Sequence, residues 1–338
     1  MTISIQHSAR KASNQHAKRA IRILKFLGVI GLLLVVLAGC GSAPIDTGNP
    51  VSFKHQIGVF ELKVPKSWKQ TQDKVSTEAI AAFSDPTDRA EIIAYAGLLD
   101  HRLADDEGLQ ITSDLIGTLL NRPADLQITD KQHRADGAFV VNVTFTRNNE
   151  KRTGQGIFRD GDLALSGTIV DGPTQGWADL QQALQADLDS FKVNADVVQG
   201  TYFDSLFGTA YAVVMPVDWP QQSTRRGTQV RSLNGKITLY TIEQPISTTL
   251  DAAGLTTQAV TSLRQMYKIN AEVGSSASLP DGRTQVTLKQ ADRSIVGYLE
   301  AKDGYFIGLF FNVPAAQTAA YQPFIDFVYS TFVTGKSQ

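Results

Sequence analysis

The sequence predicts an α+β protein of two tandem, duplicated units, each with a largely antiparallel sheet and a C-terminal helix, behind an N-terminal leader. Three observations predict it: landmarks that recur in the same order at a slowly drifting offset, short runs with alternating apolar positions between turn residues, and an apolar helical stripe closing each half. With 338 residues, 42% of them apolar, the chain is long enough to bury two ordinary cores.

The leader comes first. Residues 1–45 contain no acid, while Arg10, Lys11, Lys18, Arg19, Arg22 and Lys25 make a basic region. Phe26 to Leu37 then form an apolar run shorter than the ~20 residues that span a bilayer as a helix, so the segment reads as a signal. It ends in Leu37-Ala38-Gly39-Cys40, whose cysteine is the only one in the chain. Small residues let a signal peptidase reach the bond, and the thiol can take a diacylglyceryl group. The tetrad resembles the lipobox of bacterial lipoproteins. That resemblance implies a signal peptide over 1–39, peptidase recognition through Leu37, Ala38 and Gly39, and lipid on Cys40. The protein would then be held to the membrane on its extracytoplasmic face. Residues 40–50, rich in turn formers from Gly41 to Pro50, are expected to be a flexible tether.

Cleavage before Cys40 removes six basic residues and no acid, which leaves 26 Lys and Arg against 33 Asp and Glu, a net charge near −7. Such a surface repels nucleic acid, so none is expected as a partner. With its one thiol lipidated the chain has no disulfide, and its stability rests on its cores.

The duplication is legible residue by residue. Phe60-Glu61-Leu62-Lys63-Val64-Pro65-Lys66-Ser67-Trp68 recurs as Tyr211-Ala212-Val213-Val214-Met215-Pro216-Val217-Asp218-Trp219, offset by 151. Asp136-Gly137 recurs as Asp281-Gly282 at 145, and Gly154 through Asp160-Gly161 as Gly297 through Asp303-Gly304 at 143. Amphipathic runs ending at Phe191 and Phe332 close the two copies. The domains are therefore expected at 51–193 and 200–334, with the boundary near Asn194 to Gly200.

Period-2 alternation places strands at 60–64, 80–83, 90–96, 139–146, 154–159 and 163–170 in the first copy. In the second it places them at 210–215, 228–232, 236–243, 284–289, 295–301 and 305–311. Asp160-Gly161 and Asp303-Gly304 between alternating runs suit tight hairpins, because glycine adopts positive φ. Leu115, Ile116, Leu119 and Leu120 make one helical face, and Leu255, Ala259, Leu263, Met266 and Tyr267 make its counterpart. The closing helices carry Trp177, Leu180, Leu184, Leu188 and Phe191, and Tyr321, Phe324, Ile325, Val328 and Phe332.

A strand ending in apolar-Pro-x-x-Trp, then a helix, a meander and a closing helix, is similar to the repeat unit of PsbP-like proteins. The resemblance implies that each half is an α/β/α sandwich. It carries over no catalytic residue, because that family of assembly factors and binding subunits shares no catalytic site.

Direct signals of chemistry are few. After the leader the histidines are His55, His101 and His133, without the short spacings of zinc ligands. There is no phosphate loop, dinucleotide fingerprint or nucleophile elbow, and no cysteine nucleophile once Cys40 is acylated. No catalytic, cofactor-binding or metal-binding residue is expected. The polar run from Asp100 to Gly108 lacks the alternate acids of a calcium loop and reads as a solvated connection before a helix. Trp68 and Trp219 read as core anchors, and Arg225, Arg226 and Arg231 as edge charges that oppose aggregation. The function expected is non-enzymatic: a lipid-anchored binding, accessory or assembly subunit with a protein partner in a membrane or envelope complex. The alternatives are a solute-binding lipoprotein that uses the cleft between domains, which converging aromatic and polar residues would support, and a hydrolase, which a buried charged dyad would support.

Overall fold

The computed structural model describes residues 44–75, 78–161 and 163–335. Leu37, Ala38, Gly39 and Cys40 lie outside the described residues. Asp46–Gln338 forms a single unit, so the two halves are in contact with each other.

The first half runs β1 (Pro50–Lys54), β2 (Phe60–Pro65), β3 (Lys69–Val75), β4 (Glu78–Ser84), β5 (Glu91–Leu98), α1 (Asp105–Leu119), β6 (Gln127–His133), β7 (Phe139–Arg147), β8 (Glu150–Gly161), β9 (Ala164–Pro173), α2 (Trp177–Leu188) and β10 (Lys192–Val193). Helix α3 (Ala195–Tyr202) joins the halves. The second half repeats the order with β11 (Phe203–Phe207), β12 (Tyr211–Pro216), β13 (Gln221–Thr224), β14 (Gly227–Arg231), β15 (Thr238–Pro245), α4 (Ala252–Tyr267), β16 (Glu272–Ser278), β17 (Thr284–Gln290), β18 (Arg293–Lys302), β19 (Tyr305–Pro314), α5 (Thr318–Ser330) and β20 (Val333–Thr334).

Each half holds a seven-stranded antiparallel sheet, β3-β4-β5-β9-β8-β7-β6 in the first and β13-β14-β15-β19-β18-β17-β16 in the second. Each adds a three-stranded sheet, β1-β2-β10 and β11-β12-β20. The orders superimpose strand for strand, so the duplicated α+β class expected from the sequence is the observed one. Helix α1 covers one face of the first large sheet at β6 to β8, and α2 packs on β9 and β2; α4 and α5 do the same in the second half. Because both faces are covered, β4, β5, β15, β18 and β19 are buried along nearly their whole length rather than on alternate residues. Strands β7 and β17 keep the predicted alternation toward their free ends. The cores centre on Ile116, Phe139, Val141 and Phe158, and on Leu263, Leu288, Phe306 and Phe310. Burying each such side chain stabilises by about 1.5–3 kcal/mol.

The repeated Pro-x-x-Trp segments are structural equivalents. Each Trp backbone N–H closes a turn on the proline carbonyl, Trp68 on Pro65 and Trp219 on Pro216, and both indoles are buried. Asp136-Gly137 and Asp281-Gly282 likewise occupy matching hairpins, with Gly137 at φ 81° and Gly282 at φ 87°. Asp303-Gly304 forms the tight turn expected of it, at φ 51° and 78°. Asp160-Gly161 does not: Gly161 pairs with Ala164 as the last rung of its hairpin, and Leu163 takes the left-handed conformation at φ 61°. The turn moves past the glycine because Leu163 is held through its carbonyl by Leu99 N, and Asp160 is used elsewhere, accepting from Leu103 N.

Strands β6, β13 and β16 were not foreseen. They are exposed throughout and polar, so no apolar period marks them; a ladder to one neighbour recruits them as sheet edges. Bulges interrupt β3, β6 and β16, which blunts edge-to-edge pairing. The segment read as an inter-domain boundary holds α3, whose first turn is capped by the Asn194 side chain accepting from Val197 N at 3.3 Å. Val198 and Tyr202 of α3 are buried. Within the expected tether, the Asp46 carbonyl accepts from Trp68 Nε1 at 2.7 Å.

Candidate functional site

The halves meet where the chain leaves β5 and enters α1. This is the polar run expected to be solvated, and the structure corrects that expectation at its start: Asp100 is 9% and His101 5% exposed. His101 Nδ1 donates to Asp100 Oδ1 at 2.6 Å, and its Nε2 lies 3.2 Å from Glu107 Oε1, off the line of a hydrogen bond. Glu107 sits in the first turn of α1, where the helix dipole favours an acid, and it accepts from Lys236 Nζ of the second half at 2.6 Å. The His101 ring stacks on Tyr321 of α5 at 4.7 Å. Within α5, the Ala320 carbonyl accepts from Arg102 N at 2.9 Å. Asp100 and His101 are buried where the second half covers them, while Arg102, Ala104, Asp105 and Asp106 stay exposed. Lys236 and Tyr321 are remote from His101 in sequence, so no spacing could have announced the cluster.

Burial pulls the His101 pKa down, but the Asp100 and Glu107 carboxylates outweigh it and the net shift is upward. Burial pushes Glu107 up, and Lys236 and His101 together bring it below its ordinary value. A histidine raised in the fold adds stability that is complete below its ordinary value of 6.5 and fades as pH rises through the folded value. A carboxylate lowered in the fold adds stability present above 4.5 and lost as pH falls through the folded value. The cluster is therefore expected to hold the halves together most firmly between about pH 4.5 and 6.5. Thermal midpoints of the protein and of His101→Gln should differ most in that window and draw together as pH rises through the raised pKa of His101. A difference that grew with rising pH would contradict this.

Beside the cluster lies a cleft of about 250 Å³ walled by both halves. The first half supplies Glu78 of β4, Tyr95 and Leu98 of β5, Leu99, Asp100 and His101 of the following loop, and Ile111 of α1. Tyr202 of α3 closes one side, and Pro216, Asp218, Trp219, Leu233 and Asn234 complete the wall from the second half. Tyr95 donates to Glu78 Oε1 at 3.1 Å, and Tyr202 to the Ala96 carbonyl at 3.4 Å. Burial, with the Glu78 charge adding to it, raises both phenols, Tyr202 to about 12, so both remain donors at neutral pH. Trp219 stacks on Phe324 at 5.3 Å, which makes it at once the core anchor expected and a wall of the cleft.

The other sequence candidates lie elsewhere. His55 is buried with Nε2 3.1 Å from Asp73 Oδ1, and His133 Nδ1 stands 2.9 Å from Asp105 Oδ1 with its ring stacked on Phe139. Every post-leader histidine thus faces a carboxylate, which the absence of short spacings had not suggested. Arg225, Arg226 and Arg231 are exposed around the edge hairpin of β13 and β14. Among the described residues, no group of three or more His, Cys, Asp or Glu side chains stands close enough to hold a metal, and no helix is long and apolar enough to cross a membrane.

No established family and no curated protein matches the chain. Solved structures similar to it include cyanobacterial PsbP (CyanoP) from Synechocystis sp. PCC 6803, at 16% identity over 39% of this chain and 92% of that one, with a TM-score of 0.33. The Ran-binding protein Mog1p of Saccharomyces cerevisiae is similar at 12% identity over 45% of this chain and 99% of its own, with a TM-score of 0.33. LpqN of Mycobacterium tuberculosis, described as involved in cell envelope biogenesis, shows 13% identity over 43% of this chain and 91% of its own, with a TM-score of 0.23.

Proposed function

We propose that the protein is a lipid-anchored binding protein of the extracytoplasmic membrane face, tethered through Cys40, which works by holding a partner or ligand and not by catalysis. The observation that carries the binding reading is the cleft, where aromatic and polar side chains from both halves converge on one space. That convergence favours the solute-binding version, in which the cleft is the site. The Asp100–His101 pair is a buried dyad of the kind that orients a catalytic base. Its far ring nitrogen, however, faces the Glu107 carboxylate at 3.2 Å, itself capped by Lys236, where a hydrolase would place a hydroxyl or thiol nucleophile.

The anchor reading rests on the Leu37-Ala38-Gly39-Cys40 tetrad behind its basic and apolar leader. Two or more acyl chains, at ~0.8 kcal/mol per buried CH₂, make a stable anchor. The wild-type protein should fractionate with membranes and come off only with detergent, with a mature N-terminus at lipidated Cys40 by intact mass. Cys40→Ser should be soluble or remain as the full-length precursor. An unmodified Cys40 with residues 1–39 retained would refute the anchor. Gentle detergent extraction should co-purify a partner if the accessory version holds.

A further inference from the structure

We infer that the cleft between the halves binds a small organic cation, an ammonium compound with an apolar body; this rests on the reading of the cleft as a binding site. Its charge is one-sided. Glu78 and Asp218 contribute carboxylates to the wall, the Asp100 charge being answered by His101, and among the described residues no lysine or arginine lines it. His101, gripped by Asp100 and facing Glu107, adds no net positive charge to the space. Glu78 accepts from the Tyr95 hydroxyl, a neutral donor, and its charge is felt by the phenols of both Tyr95 and Tyr202.

The remaining wall selects among cations. Tyr95, Tyr202 and Trp219 are each more than nine-tenths buried, and Leu98, Leu99 and Pro216 fill the gaps. Aromatic rings attract an ammonium group through their quadrupoles, more strongly when water is excluded, whereas a bare metal ion needs several oxygen ligands at short range. The cleft's carboxylates do not gather into such a set: no metal-holding group of acids and histidines exists among the described residues. The volume of about 250 Å³ admits on the order of eight to a dozen non-hydrogen atoms, taking about 30 Å³ for a water-sized group as the upper measure. An anion would meet the Glu78 and Asp218 carboxylates, and a large neutral solute would not fit.

The test uses full-length protein in detergent and three probes with a common phenyl body: 2-phenylethylammonium, 2-phenylethanol and 3-phenylpropanoate. Binding is followed by calorimetry and by quenching of tryptophan emission. The ammonium probe should bind at least tenfold more tightly than the alcohol, and the carboxylate should show no binding. Glu78→Gln should weaken the ammonium probe about tenfold and leave the alcohol unchanged. Asp218→Asn, at an exposed wall position, should weaken it in the same direction should Glu78→Gln fail to fold. If the alcohol binds as tightly as the ammonium probe, or the carboxylate more tightly, and Leu99→Trp abolishes that binding, the cation assignment is wrong while the cleft stands as a site. If none of the three binds, the cleft reading falls with it.

Discussion

Arg152→Met is expected to destabilise the first half by about 3–5 kcal/mol, because it strands the Asp171 carboxylate in the core without its partner. Arg152 and Asp171 form an ion pair at 1% and 0% exposure, with Arg152 Nη1 also donating to the Asp88 carbonyl at 3.1 Å. Burial pushes the Asp171 carboxyl up to about 7 against the pull of Arg152 and Arg147. Asp171→Asn should cost far less than Arg152→Met, and the second half supplies the reason. Arg293 sits opposite Pro314 as Arg152 sits opposite Pro173, and Asn312 pairs with the first residue of β15 as Asp171 pairs with the first of β5. There Arg293 donates to Asn312 Oδ1 at 2.7 Å and to the Lys236 carbonyl at 2.6 Å, so a neutral amide does the carboxylate's work. Urea denaturation of both single variants and of Arg152→Met/Asp171→Leu decides the matter. The apolar double should recover much of the loss, and a double variant no more stable than Arg152→Met would show that the pair is not the cause.

Phe324→Ala should cost a similar amount, about 3–5 kcal/mol, through the cavity it opens. Phe324 is fully buried in α5, stacked on Trp219 at 5.3 Å and 6.2 Å from Phe203, so it backs the wall of the cleft as well as filling the core. The Tm should fall and the tryptophan emission should shift to the red as Trp219 gains water. Phe324→Leu, which keeps most of the volume, should cost under about 1.5 kcal/mol. Emission unchanged in Phe324→Ala would mean that Trp219 is held by other neighbours.

Much of the architecture was legible in the chain because its signals are local. Strands buried on one or both faces carry apolar residues at strand spacing, and the four long helices carry their stripes at helical spacing. The Pro-x-x-Trp segments mark equivalent turns, so the duplication was visible before any contact was known. The exposed edges β6, β13 and β16 were not visible, since a strand that buries nothing has no apolar period. Helix α3 was hidden in what composition presents as a boundary, because its two buried side chains, Val198 and Tyr202, are too few to make a helical stripe.

The sequence by itself determined the class, the repeat, the order of the main elements and the tetrad at Cys40, all of which depend on neighbours a few residues apart or on a pattern met twice. The tertiary structure decided that Asp100 and His101 are buried, that Glu107 is tied to Lys236, and that Glu78, Tyr202 and Trp219 share a cleft. Those relations join residues more than a hundred positions apart. They arise only when the second half packs over the loop that leaves β5, where burial takes Asp100 and His101 out of water and into an ion-paired seam.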